Sequence, residues 1–101
     1  LEVVARAVPR LGALWARVVL TWVDERCVPV ADPESNRGAA LRRGIALGLG
    51  AGGAPGARVV PLFEDGESPA QARARVEQCY ASELGGGLDL VVLGLGADGH
   101  V

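Results

Sequence analysis

The apolar run Leu90-Val91-Val92-Leu93 opens directly into Gly94-Leu95-Gly96-Ala97-Asp98-Gly99-His100. A short apolar run bounded by glycine is the pattern of a parallel strand buried on both faces. It confines the chain to architectures in which helices cover a sheet from both sides. In open α/β sheets the ligand sits just beyond the carboxyl ends of the strands. The turn therefore sets the only histidine, with an aspartate two residues before it, where a substrate would lie. Imidazole is the side chain whose unperturbed pKa is nearest neutrality, so His100 is the natural general base. The glycines let the backbone bend sharply and approach a ligand closely.

The rest of the chain alternates helical and strand patterns. Leu1, Val4, Ala5 and Val8 share a helical face that Pro9 should end. Arg17 to Val23, with Val18, Val19, Thr21, Trp22 and Val23, has the composition of a strand. Asp32-Pro33-Glu34-Ser35 carries helix-start chemistry for a helix to about Leu47, with Leu41 and Ile45 inward. Gly48 to Ala57 is expected to be a flexible surface loop, and Val59, Val60 and Leu62 a second strand. Ser68-Pro69-Ala70-Gln71 is a capping box. Beyond it Ala72, Val76, Cys79 or Tyr80, and Leu84 recur at helical spacing up to Gly85-Gly86-Gly87. Leu88 to Leu93 is then the third strand. This order predicts an α/β fold, a Rossmann-like three-layer parallel sheet with flanking helices.

Half of the 101 residues are hydrophobic but only 4% are aromatic, so the core must be aliphatic, which suits a helix-flanked parallel sheet. One small core is the limit at this length. The chain has no methionine and stops one residue after its only histidine, so residues 1–101 are expected to be an incomplete portion of a larger single domain. A net charge of -2 argues against nucleic acid or an anionic membrane as main partner. No stretch has the length of a membrane span, and no leader pattern precedes a cleavage site. Cys27 and Cys79 form no C-x-x-C and are taken as reduced cytosolic thiols, with no metal site expected.

Gly94-x-Gly96-x-x-Gly99 has the spacing of a dinucleotide fingerprint. Asp98 would place negative charge against the pyrophosphate, and the motif follows two βα units rather than opening the first. The acidic residue expected about twenty positions later would fall beyond Val101, and on the first two grounds the spacing is a weak signal and no dinucleotide cofactor is expected. Asp24-Glu25-Arg26 also follows a strand and should share the sheet edge with His100. On composition alone it is a solvated charged loop. The sharper reading has Arg26 holding an anion with its fork of donors and Asp24 facing the reacting centre. Ser35 and Asn36, taken alone, are helix-start groups.

Taken together, Trp22-x-Asp24-Glu25-Arg26-x-Val28-Pro29, Ser35-Asn36 and Leu88-Asp89-Leu90 leading to Gly94-x-Gly96-x-Asp98-Gly99-His100 resemble the 6-phosphogluconolactonase family in order and spacing. The resemblance runs from about Leu14 to Val101 and covers the central part of a family member. It lacks the earlier Ser/Gly-rich phosphate loop, the Ser-Leu-Phe-Pro stretch after the histidine and the later basic residue. It implies a cytoplasmic hydrolase, free of metal and cofactor, that opens 6-phospho-D-glucono-1,5-lactone in the oxidative pentose phosphate pathway. His100 would activate water, Asp98 would orient or tune it, and Asp24 would line the catalytic centre. Arg26 would contact the phosphate, with Asn36, Gly96 and Gly99 also at the substrate. A lactone is an activated ester, so one positioned water and one base suffice, with turn N–H groups as candidate donors to the developing oxyanion. The related glucosamine-6-phosphate deaminases share the Asp-Gly-His turn but typically carry tyrosine where Arg26 stands and near Asn36. A nucleotide-binding module without catalysis, or a fragment that is inert by itself, are the other readings.

Overall fold

The computed structural model describes residues 1–45 and 56–100. Helix α1 (Glu2–Leu11) passes through a 3₁₀ segment (Gly12–Arg17) into strand β1 (Val19–Leu20). Helix α2 (Asn36–Arg42), strand β2 (Arg58–Val59) and helix α3 (Pro69–Glu83) follow. The two strands pair in parallel, Val19 opposite Arg58 and Leu20 opposite Val59, with α2 in the crossover between them. Parallel neighbours need such a crossover, so β1, α2 and β2 are a βαβ unit. The Arg58 N–H donates to the Val18 carbonyl and the Val60 N–H to that of Leu20, each at 2.9 Å. Just past the ladder the Thr21 hydroxyl donates to the Val60 carbonyl at 2.8 Å and lies 3.2 Å from the Tyr80 hydroxyl of α3. The ion pair of Arg58 with Glu83 adds a second tie between the sheet and α3.

The core gathers Trp15, Ala40, Ile45 and Ala57, with Val4, Ala5, Val8, Val18, Leu20 and Trp22 packed on it. Trp15, only 6% exposed, fills the space that a nearly all-aliphatic composition would otherwise leave. Val4, Ala5 and Val8 present the expected face of α1, but Leu1 stays exposed, and Leu41 of α2 is exposed rather than inward. Helix α1 continues past Pro9 to Leu11. So close to the helix end the proline removes a single intrahelical bond, and Gly12, at φ 53°, makes the break instead. The capping box of α3 is present in full: Ser68 Oγ accepts from the Gln71 N–H at 3.2 Å, and Gln71 Oε1 accepts from the Ser68 N–H at 2.8 Å.

Three expectations are corrected. Helix α2 begins at Asn36 rather than at Asp32, because Asp32 Oδ1 accepts from the Glu34 N–H two residues on and forms a turn instead. Ser35, 2% exposed, takes over the cap, its Oγ accepting from the Gly38 N–H at 2.9 Å. The end expected for that helix near Leu47 and most of the Gly48–Ala57 loop lie outside the described residues; Ala57 itself is fully buried rather than on the surface. Most consequentially, Leu88–Leu93 forms no strand: Leu90 is 79% exposed, and the run faces β1 across a cleft of about 650 Å³ without pairing to it. An apolar run becomes a buried strand only where a ladder partner and covering layers exist on both faces. Among the described residues those layers are missing. No helix among them is long and apolar enough to cross a membrane.

Gly38 marks where α2 meets the loop before it. A Cβ there would lie 2.2 Å from the Val30 carbonyl oxygen and 3.3 Å from Ser35 Cβ. Helix propensity alone favours Gly→Ala by about 1 kcal/mol. The obstructing atom is backbone and cannot swing aside, so we expect Gly38→Ala to destabilise the chain by about 2–3 kcal/mol, as overpacking does. Chemical denaturation checks the sign; a stabilised variant would show that α2 does not approach Val30 this closely.

Candidate active site

Parallel strands share polarity, so the loops that follow β1 and β2 leave the sheet at one edge. They are tied together there. The Val30 N–H donates to Asp65 Oδ1 at 2.9 Å, and Arg37 Nη1 lies 3.7 Å from Glu64 Oε1. The second loop is itself held on α3. Arg75 donates to both oxygens of Glu67, at 2.8 and 2.9 Å, and to the Pro61 carbonyl at 2.8 Å. Its guanidinium holds the Glu67 carboxyl below the usual carboxylate range.

Within the first loop Asp24 and Asn36 are bonded to each other, while the guanidinium of Arg26 turns to Glu34. The Asn36 Nδ2 donates to Asp24 Oδ1 at 2.8 Å and to the Asp24 carbonyl at 3.1 Å. Arg26 Nη1 reaches the Glu34 carbonyl at 3.3 Å and Glu34 Oε2 at 3.4 Å. Both side chains of that ion pair are more than half exposed, a setting in which a pair contributes at most about 1 kcal/mol. Among the described residues the remaining guanidinium nitrogens of Arg26 carry no hydrogen bond, so a second anion can be held without dismantling the loop.

Glu25, to which the sequence assigned no separate role, organises this cluster. Its Oε1 accepts from the Arg26 N–H at 2.8 Å and the Asn36 N–H at 2.7 Å. Its Oε2 accepts from the Arg37 N–H at 2.8 Å and the Ser35 hydroxyl at 3.3 Å. Burial pushes the Glu25 carboxyl up, but the three N–H groups and the hydroxyl together outweigh it and leave the group below its ordinary value. The sequence signal that could have found it is an acid between two candidate site residues, ahead of a helix start whose N–H groups need acceptors.

The second cluster is the turn ending at His100. Gly96 donates to the His100 carbonyl at 2.7 Å and Gly99 donates to the Gly96 carbonyl at 2.9 Å, with Gly99 at φ 84°. The N–H groups of these two glycines thus close the turn rather than facing a ligand, and those of Ala97 and Asp98 stay open among the described residues. Asp98 Oδ1 accepts from the His100 backbone N–H at 3.0 Å, so its carboxylate shapes the backbone under the histidine and does not bond its ring. A Cβ at Gly96 would lie 2.9 Å from Asp98 Oδ1, a side-chain atom, and 3.2 Å from the His100 carbonyl oxygen. The imidazole is exposed. Among the described residues no hydrogen bond or ion pair joins this turn to the Asp24–Arg37 cluster. The Leu88–Leu93 segment that leads into the turn is unpaired, so among the described residues no ladder sets the turn against the first loop. Among the described residues no group of three or more His, Cys, Asp or Glu side chains gathers as a metal site.

Comparison with known proteins bears on what this geometry is for. The family model described as glucosamine-6-phosphate isomerases/6-phosphogluconolactonase matches residues 2–101. The chain is 41% identical over 95 residues to a 6-phosphogluconolactonase of Rhizobium meliloti, covering 94% of this chain and 38% of that protein. It is 38% identical over 94 residues to the 6-phosphogluconolactonase of Mesorhizobium japonicum, covering 93% of this chain and 37% of the relative. The human GDH/6PGL endoplasmic bifunctional protein is 36% identical over 106 residues, 93% of this chain and 12% of its own length. The chain thus spans less than two-fifths of these relatives. No solved structure matches it significantly.

Proposed function

Because the chain belongs to the family of glucosamine-6-phosphate isomerases and 6-phosphogluconolactonases, we propose that the protein it builds hydrolyses 6-phospho-D-glucono-1,5-lactone to 6-phosphogluconate, as in the oxidative pentose phosphate pathway. The observation that carries the reading is the loop after β1, where Asp24 and Asn36 are bonded to each other and Arg26 keeps guanidinium donors open. A phosphate needs that fork of donors, and a lactone needs a polar edge beside it. Residues 1–101 supply part of one Rossmann-like α/β domain in this reading. Its third strand is Leu88–Leu93 once it is laddered and covered, which brings His100 to the edge that Arg26 occupies.

In the reaction the imidazole of His100 takes a proton from water as the water oxygen attacks the lactone carbonyl carbon. Negative charge gathers on the carbonyl oxygen, and the open N–H groups of Ala97 and Asp98 are the donors placed to meet it. The bond from the carbonyl carbon to the ring oxygen then breaks, and the proton returns from the imidazolium to that oxygen. Asp98 holds the histidine's backbone in place throughout. Arg26 grips the phosphate at the far end of the sugar, so binding there orients the carbonyl for attack. The chemistry needs no cofactor or metal. A cytoplasmic location belongs to this reading, in which Cys27 and Cys79 stay reduced.

The test is a side-by-side assay of the intact polypeptide with 6-phospho-D-glucono-1,5-lactone and with glucosamine 6-phosphate, alongside titration with NAD(P). Lactone hydrolysis well above the spontaneous rate, without deamination or tight dinucleotide binding, is the expected result. Deamination in place of lactone opening would transfer the chain to the isomerase side of its family.

A further inference from the structure

We propose that Glu25 is a positioning residue for this reaction: its carboxylate locks the loop after β1 onto the start of α2 and so fixes Asp24 and Arg26 on either side of it. The inference rests on the lactonase reading and deepens it. Glu25 is half-buried while its two neighbours are exposed, one anchor turned inward between two groups turned out. Each carboxylate oxygen accepts two hydrogen bonds, three of the four donors being backbone N–H groups of Arg26, Asn36 and Arg37. One of those N–H groups belongs to Arg26 itself, and another to Asn36, whose side chain holds Asp24. A single side chain therefore sets the backbone under the phosphate-binding arginine and the residue that holds the aspartate. Among the described residues the far end of Arg26 is restrained only by exposed contacts of Nη1 with the carbonyl and carboxylate of Glu34, so its direction is governed from the backbone.

The role requires an acceptor at both oxygens, which an ionised carboxylate supplies and an amide does not. Glutamine turns an NH₂ towards one pair of donors whichever way it is flipped. Aspartate keeps both acceptors but falls one methylene short. In the intact polypeptide we expect Glu25→Gln to lower kcat/KM for the phosphorylated lactone by about tenfold, short of the roughly 10²-fold that a 1 Å misplacement can cost. Inhibition by inorganic phosphate should weaken in parallel, and Glu25→Asp should recover part of the loss. In an Arg26→Ala background the kcat/KM effect of Glu25→Gln should shrink to about twofold or less, because coupled residues are not additive.

A purely structural role predicts otherwise. It lowers the melting temperature and leaves kcat/KM and phosphate inhibition unchanged well below it, or gives effects that add with Arg26→Ala; either outcome overturns the proposal. Should Glu25→Gln not fold, the same cycle with Glu25→Asp decides. A wild-type protein that opens no phosphorylated lactone overturns the functional reading and this role with it. A wild-type protein that does, beside a Glu25→Gln variant of equal kcat/KM, overturns the role of Glu25 alone.

Discussion

The His100→Ala variant of the intact polypeptide turns over 6-phospho-D-glucono-1,5-lactone about 10²- to 10⁴-fold more slowly than the parent, the range a positioned general base contributes. Its affinity for 6-phosphogluconate, measured by calorimetry, changes by about threefold or less, because the base acts on the transition state rather than on the bound sugar. His100 is the only histidine in the chain, so no second imidazole among these residues can take over the proton. Its backbone is held by the Asp98 carboxylate at 3.0 Å and by the Gly96 N–H at 2.7 Å, and neither bond involves the ring. Removing the ring therefore leaves the turn intact, and a loss of rate reports chemistry rather than collapse. His100→Gln, which keeps bulk and a hydrogen-bonding tip but cannot carry the proton, should be as slow as His100→Ala. The lactone also opens unaided, so rates must be read above the enzyme-free blank. A His100→Ala rate within tenfold of the parent would remove His100 from the mechanism.

How far the sequence could be read depends on the range of the forces involved. The start of α3 was legible from Ser68, Pro69 and Gln71 because a capping box is complete within four residues. The start of α2 was misplaced because Asp32 takes the Glu34 N–H in a turn, while Ser35 and Glu25 divide the N–H groups of Gly38, Asn36 and Arg37 that open the helix. Glu25 comes from ten residues upstream, where no local pattern announces it. Parallel pairing of β1 with β2 followed from the alternation of helix and strand patterns. The third strand did not form, because the apolar character of Leu88–Leu93 states what that segment would bury but not what covers it. The same division runs through the site. Asp24, Arg26 and Asn36 lie within thirteen residues and are joined by direct hydrogen bonds or through Glu25, whereas their meeting with His100 depends on long-range layers. Glu25 was hidden in plain view: its neighbours carry the charges a ligand would meet, and its own carboxylate is consumed by backbone.

For Arg26→Ala, KM for the phosphorylated lactone should rise about 10- to 100-fold with a smaller change in kcat. Charge-assisted hydrogen bonds of the kind a guanidinium makes to phosphate contribute about 1.5–3 kcal/mol, which converts to that range. Truncation costs the fold little, because among the described residues the Arg26 side chain donates only through Nη1, to exposed Glu34. Thermal melting of the variant should therefore match the parent and separate lost binding from lost structure. Arg26→Lys should recover only part of the affinity, since the ammonium keeps the charge but not the planar pair of donors. Glu34→Gln sharpens the assignment: it frees Nη1 from a competing carboxylate, so KM should fall slightly or stay the same. Raising the ionic strength should weaken the parent's substrate binding more than that of Arg26→Ala, because an exposed cation attracts a dianion through solvent that salt screens. If Arg26→Ala and the parent shared one KM and one salt dependence, the phosphate would have to be held elsewhere, and the loop after β1 would keep only its aspartate and asparagine for the substrate.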